Sequence, residues 1–87
     1  MNYKKDDAGH VILNIDDAVA YYRINTGKKM TPKRMMEILF PDYAPAYRSQ
    51  LCTHWRKGSP KFRPSNSQVE KIRFFTGLPI EKLVKQL

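Results

Sequence analysis

The sequence predicts one all-α domain of five helices, preceded by an N-terminal arm. Three observations lead to this prediction. With 87 residues, the chain has the length of a single small domain. Beyond residue 15, apolar residues recur at spacings of three and four, which is typical of amphipathic helices, and the sequence shows no sustained strand alternation. Residues that begin and end helices divide this part of the chain into five segments.

The N-terminal arm, residues 1–15, is expected to be flexible or extended. Residues 1–9 are polar, charged and without periodicity, whereas residues 10–15 have the character of a short extended segment. This segment could pack against the first helix, pair with a second copy of the chain, or follow a bound duplex, and packing is the expectation. The helical domain then covers residues 16–87.

Start and stop residues define the first two helices. The first is expected to begin after Asn14 or Asp16, either of which can cap free backbone N–H groups, and to end at Gly27. Thr31 and Pro32 open the second, because threonine is a favoured N-cap and proline lacks an N–H that would have no partner there. The second helix is expected to bury a stripe of Met35, Ile38 and Leu39, widened by Met36 and Phe40.

A helix-turn-helix arrangement follows from two prolines. Pro41 and Pro45 cannot both lie inside one regular helix, so the second helix is expected to end near Phe40. The third helix then begins at Pro45 or a few residues later. It is expected to end at Gly58, because Ser59 and Pro60 follow as a stop signal.

The fourth and fifth helices complete the domain. Two overlapping capping-box patterns precede the fourth helix: Ser65 with Gln68, and Ser67 with Glu70. Its expected inner face is formed by Val69, Ile72 and Phe75, and Thr76 and Gly77 end it. The fifth helix follows Leu78 and Pro79. It is expected to reach the last residue, on the helical spacing of Ile80, Leu83, Val84 and Leu87.

The positive charge is concentrated in the second half of the chain. The formal charge is +8, of which residues 1–44 carry +1 and residues 45–87 carry +7. The positive field therefore surrounds the third helix and the segments after it. Such a bias favours polyanionic partners.

Composition also limits the compartment and the chemistry. A single cysteine, Cys52, excludes an internal disulfide and a multi-thiolate metal site, which suits a reducing compartment. The apolar run of residues 11–15 is too short for a signal peptide or a membrane span, so a soluble cytoplasmic protein is expected. No metal or other cofactor is expected. Cys52 and His54 lie about 200° apart around a helix and cannot form a local nucleophile and base pair, so no enzyme activity is expected.

The third helix, around residues 46–57, has two different faces. Wound at about 100° per residue, it collects Leu51, Cys52 and Trp55 on an apolar side. The opposite side offers the amide, hydroxyl and imidazole groups that hydrogen-bond base edges in a major groove. The pattern therefore predicts a recognition helix whose base contacts are Ser49, Gln50, Thr53 and His54. Basic residues flank it at Arg48 and Lys57, and further ones, including Lys29, Lys33 and Arg34, crowd the start of the second helix, where a phosphate would fit. These five residues are expected to contact phosphates, together with Lys61 and Arg63.

The order of these signals resembles the Xre-type, phage lambda repressor-like helix-turn-helix family. The resemblance covers about residues 16–87. It is carried by Thr31-Pro32, Trp55-Arg56-Lys57-Gly58, Arg63-Pro64-Ser65, Val69-Glu70-Lys71-Ile72, Thr76-Gly77 and Leu83. The chain departs from the family pattern in the longer turn of residues 40–45 and in Met36, where the family has a small residue.

The resemblance implies a five-helix domain that binds duplex DNA through the second and third helices. The family's buried aliphatic position falls on Cys52. Its base-reading positions fall on Ser49, Gln50 and His54. Its phosphate contacts fall on Lys33, Arg34, Lys57, Lys61 and Arg63. A frame shifted by one residue would instead turn Leu51 towards a thymine methyl group.

Other partners remain open at this point. The same fold can serve as a protein-binding module, such as an antitoxin that covers a toxin, and a homodimer could form through the apolar fifth helix. An RNA-binding role fits the charge, but single-strand readers commonly expose aromatic clusters on a sheet, which this sequence does not predict. Sequence-specific binding of double-stranded DNA by a transcriptional regulator, acting as a repressor or an activator, is the leading hypothesis.

Overall fold

In the computed structural model, which describes residues 11–86, five α-helices and a two-stranded sheet surround one core. The elements follow in the order β1 (Val11–Leu13), α1 (Ile15–Thr26), α2 (Pro32–Leu39), α3 (Pro45–Lys57), a short 3-10 turn (Pro60–Phe62), α4 (Asn66–Thr76), α5 (Ile80–Leu83) and β2 (Val84–Gln86). The predicted flexible segment of residues 1–9, together with His10 and Leu87, lies outside the described residues.

The predicted boundaries of the first three helices are confirmed. The backbone of Gly27 is left-handed at the end of α1, and the Arg34 N–H donates to the Thr31 hydroxyl at 3.1 Å at the start of α2. Pro45 is the first residue of α3 and Gly58 follows its last. Asn14 precedes α1 as expected, but its side-chain amide donates to the Lys82 carbonyl at 2.7 Å and so joins the two ends of the domain.

Of the two capping boxes that the sequence offers for α4, the first is formed. The Gln68 N–H donates to the Ser65 hydroxyl at 3.2 Å, and the Ser65 N–H donates to the Gln68 side-chain oxygen at 2.8 Å. Ser67 lies one residue inside the helix boundary and is exposed. Two free backbone donors at the helix start are thereby satisfied.

Replacing Ser65 by alanine is expected to destabilise the domain by about 1 kcal/mol, because it removes the acceptor for an orphan N–H. The matched control is Ser67→Ala, two residues away, which is expected to change the free energy of unfolding by less than about 0.5 kcal/mol. Urea unfolding followed by circular dichroism measures both. Equal losses in the two variants would contradict the assignment of the cap.

The core is built around Trp55, whose side chain is 1% exposed. It meets the ring of Phe40 edge-on, with centroids 6.1 Å apart, and the α1 ring of Tyr22 stacks on the α4 ring of Phe75 at 4.6 Å. The expected stripe of α2 is partly wrong. Met36 and Phe40 are buried with Met35, whereas Ile38 is 41% exposed and Leu39 is half-buried, because α2 packs with a face rotated towards Met36.

The prediction of an all-α fold is corrected by a small sheet. β1 and β2 pair antiparallel, with Val11 opposite Gln86 and Leu13 opposite Val84. The extended character expected of residues 10–15 is thus confirmed for β1, and this part of the predicted arm belongs to the folded domain. Three residues are too few for strand alternation to be recognised in a sequence.

The fifth helix is shorter than predicted. α5 ends at Leu83, and Val84 already has extended dihedral angles (φ −105°, ψ 126°). Leu83 is fully buried, while Ile80 and Val84 pack half-buried against the core. These side chains therefore complete the core of the same chain. Within residues 11–86, no helix is long and apolar enough to cross a membrane.

Candidate nucleic-acid interface

The two faces of α3 lie as the sequence predicts. Leu51, Cys52 and Trp55 are buried, and Ser49, Gln50 and Thr53 are exposed. Leu51 is only 3% exposed, so the alternative frame in which it would face a groove is wrong. Because the apolar side is fully used by the core, the polar row is held at the surface in a defined orientation.

Arg48 forms hydrogen bonds to the backbone of the long turn between α2 and α3. Its guanidinium Nη1 donates to the carbonyl oxygens of Tyr43 at 2.7 Å and Phe40 at 3.2 Å, with Pro41 at 3.5 Å. A partly buried guanidinium engaged in this way fixes the end of α2 against the start of α3. Arg48, a predicted phosphate contact, therefore also has a structural role in holding this turn.

Aromatic rings make the inserted turn rigid. Tyr43 stacks on Phe40 with ring centroids 5.0 Å apart and meets Tyr47 edge-on at 5.3 Å. The Gln68 amide donates to the Tyr43 hydroxyl at 3.0 Å, which links the turn to α4. The sequence analysis did not single out Tyr47, which is 42% exposed on the first turn of α3. The available signal was the spacing of Tyr47 and His54, because residues seven positions apart lie on the same side of a helix.

An open groove of about 410 Å³ runs between the start of α2 and α3. Its rim carries hydroxyl and charged groups from both helices, while its floor includes Met36 and Cys52. The rim residues are Thr31, Lys33, Glu37, Arg48, Ser49, Thr53 and Arg56. Three of the charged groups are basic and one is acidic, so basic groups predominate along the rim.

His54 is held differently from the other predicted base-contacting residues. It is half-buried, and its imidazole stacks on the ring of Phe62 with centroids 4.3 Å apart and planes inclined by 12°. Phe62 lies in the 3-10 turn that follows α3. Sequence reasoning missed this residue, although an aromatic side chain between Pro60 and Pro64 was a signal that the connector is packed.

The predicted phosphate contacts differ in their surroundings. Lys29, Lys33, Lys57 and Lys61 are exposed, Arg34 is exposed and pairs with Glu37 at 3.3 Å, and Arg63 is half-buried. Arg56, which was not predicted as a contact, forms an ion pair with Asp16 and joins the end of α3 to the start of α1. An exposed pair of this kind contributes about 0–1 kcal/mol to stability.

Cys52 lies on the floor of the groove as a buried thiol. Burial raises the pKa of Cys52, and the nearby positive charge of Arg56 offsets only part of that rise. The thiol is therefore protonated at neutral pH, which is the inert form of cysteine. Across residues 11–86, no three histidine, cysteine, aspartate or glutamate side chains come close enough together to hold a metal ion.

Comparison of this chain with protein-family models, with curated proteins and with solved structures finds no match. The resemblance to the Xre-type family therefore depends on the residues of the chain itself. The function has to be argued from the polar row of α3, the groove beside it and the distribution of charge.

Proposed function

We propose that this protein binds double-stranded DNA sequence-specifically and regulates transcription, as a lambda repressor-like helix-turn-helix domain. The observation that carries the proposal is the polar row of α3. Ser49, Gln50 and Thr53 are exposed on a helix whose opposite side is buried around Trp55. Because the helix that carries them is already folded and packed, only these side chains, and not the backbone, have to be ordered when they hydrogen-bond base edges.

The dimensions of α3 suit a major groove. Its 13 residues span about 20 Å at 1.5 Å per residue, and an α-helix fits the groove width of about 12 Å. Gln50 has both a donor and an acceptor and can bond adenine in a bidentate manner. Ser49, Thr53 and His54 each supply single hydrogen bonds, which fits a helix that reads a few successive base pairs.

Exposed lysines lie on α2, at the end of α3 and in the 3-10 turn after it. Lys33 is in the first turn of α2, where the free N–H groups and the helix dipole also favour an anion. Lys57 ends α3 and Lys61 lies in the 3-10 turn. With Lys29, Arg34 and Arg63, they could neutralise phosphates of the two strands that border the groove.

Selection of bound duplexes from a random pool, repeated with Gln50→Ala and Lys33→Ala, tests the proposal. Gln50→Ala is expected to reduce the discrimination against wrong bases at one position by about 1–3 kcal/mol. Discrimination at the other positions is expected to remain unchanged. Lys33→Ala is expected to weaken binding to all sequences alike, because a phosphate contact carries no sequence information. Thermal unfolding of both variants serves as the control for folding.

The wild-type protein is expected to select a defined motif. Failure to select any motif would contradict sequence-specific binding. Equal and sequence-independent losses from Gln50→Ala and Lys33→Ala would remove the recognition role of α3. Competition between duplex DNA and duplex RNA of one sequence separates the proposed function from RNA binding, and DNA is expected to win.

A protein-binding role is the second candidate, and exposed apolar side chains away from α3 favour it. Ile24 on α1 is 81% exposed and Phe74 on α4 is 75% exposed. Side chains of this kind are common at protein interfaces, although single ones are also ordinary on surfaces. A one-to-one complex with a second protein that survives high salt, as an antitoxin-like module would form, would support this candidate.

A further inference from the structure

We propose that Phe62 is a positioning residue that holds the imidazole ring of His54 in one plane and thereby sets the preference at the base His54 reads. This inference rests on the proposed function, because it assumes that α3 contacts bases. It adds a residue from outside the recognition helix to the groups that determine specificity.

The contact between the two rings is close and nearly parallel. Their centroids are 4.3 Å apart and their planes are inclined by 12°. The torsion that orients a histidine ring has a broad energy profile, so an exposed imidazole samples many orientations. A flat aromatic surface against one face of the ring restricts the imidazole to orientations parallel to that surface.

Backbone hydrogen bonds also connect Phe62 to His54. The His54 carbonyl accepts hydrogen bonds from the N–H groups of Gly58 at 2.9 Å and Ser59 at 3.1 Å. The Ser59 carbonyl then accepts from the Phe62 N–H at 3.2 Å. Phe62 also packs against the core, and the following Pro64 is buried. The stacking ring is therefore placed by the folded chain in the absence of DNA.

A fixed imidazole affects recognition in two ways. The entropy of ordering the side chain is already lost before binding, so the contact costs less when DNA arrives. A ring held in one plane can direct its nitrogens only within that plane, so it cannot tilt to meet the groups of a wrong base, which increases discrimination. Gln50, in contrast, is exposed and must be ordered on binding.

The test compares base preferences of the wild-type protein, Phe62→Leu, Phe62→Tyr and His54→Ala. Leucine keeps apolar bulk but lacks a ring, whereas tyrosine keeps the ring. Phe62→Leu is expected to reduce the preference by about fivefold at the base position that His54→Ala also affects. Phe62→Tyr is expected to retain the preference, and the position read by Gln50 is expected to remain unchanged in all of them.

A double variant separates positioning from general damage. If Phe62 acts through His54, adding Phe62→Leu to His54→Ala changes the base preference no further. Proton NMR of the free protein supplies a readout without DNA. The carbon-bound ring protons of His54 are expected to be shifted upfield by the stacked ring in the wild-type protein and in Phe62→Tyr, and to return towards ordinary positions in Phe62→Leu.

Several results would overturn the inference. Ordinary shifts of the His54 ring protons in the wild-type protein would do so without any variant. Additive losses in the double variant, or a loss from Phe62→Leu spread over all base positions, would also do so. A wild-type motif that Phe62→Leu leaves unchanged refutes this inference alone, whereas a wild-type protein that selects no motif refutes the proposed function as well.

Discussion

Raising the salt concentration from about 50 to about 200 mM is expected to weaken binding to a selected duplex by about five hundredfold. Each phosphate neutralised on B-DNA contributes about −0.9 to the slope of log affinity against log salt, so about five contacts give a slope of −4 to −5. The structure supplies enough groups, because Lys29, Lys33 and Arg34 are exposed near the start of α2, and Lys57 and Lys61 are exposed at and after the end of α3. Fluorescence anisotropy over a salt series measures the slope.

Two lysine variants provide the matched comparison for the salt series. Lys33→Ala is expected to reduce the magnitude of the slope by about 0.9, which corresponds to the loss of one phosphate contact. Lys82 is also exposed, but it lies in α5 and does not line the groove between α2 and α3. Lys82→Ala is therefore expected to leave the slope unchanged. A slope near zero, or equal reductions in the two variants, would contradict the proposed phosphate footprint.

Replacing Gly58 by alanine is expected to destabilise the domain by about 2–5 kcal/mol. Its φ of +77° is left-handed, which costs a residue with a Cβ about 1–2 kcal/mol. An added Cβ would also lie 2.7 Å from Cγ1 of Ile12 and 3.4 Å from the Val11 carbonyl oxygen. Crowding of this kind adds about 1–3 kcal/mol. Urea unfolding is the measurement.

Gly27→Ala is the matched control, since Gly27 also ends a helix with a left-handed backbone. Its φ is +70°, but within the described part of the chain no heavy atom beyond its neighbours lies within 4 Å of the position that an added Cβ would take. We expect Gly27→Ala to lower the free energy of unfolding by about 1–2 kcal/mol, which is the cost of the left-handed backbone alone. Equal losses at the two glycines would show that the contact between the end of α3 and β1 is loose.

Local signals allowed the helices to be predicted. Thr31 with Pro32, the left-handed Gly27 and Gly58, and the Ser65 capping box each act within a few residues, so the sequence shows them directly. The two faces of α3 were also predictable, because Trp55 and its apolar neighbours leave one side of the helix polar. These features place the candidate recognition helix on the surface without reference to the rest of the fold.

Features that depend on contacts distant in sequence could not be predicted. Val84 fits a helical spacing, yet it leaves α5 to pair with Leu13, 71 positions earlier in the chain. Arg48 has the charge of a phosphate contact, and the sequence does not show that its Nη1 also donates to carbonyl groups of the inserted turn. The stacking of Phe62 on His54 likewise depends on a turn whose path is set by packing.

Removing one ring nitrogen from the DNA tests the central claim, that α3 reads base edges in a major groove. In the selected duplex, the adenine at the position assigned to Gln50 is replaced by 7-deazaadenine, which lacks the major-groove acceptor N7. The wild-type protein is expected to bind the altered duplex about tenfold more weakly, and Gln50→Ala is expected to bind both duplexes equally. Equal losses for both proteins, or unchanged binding by the wild-type protein, would contradict the claim.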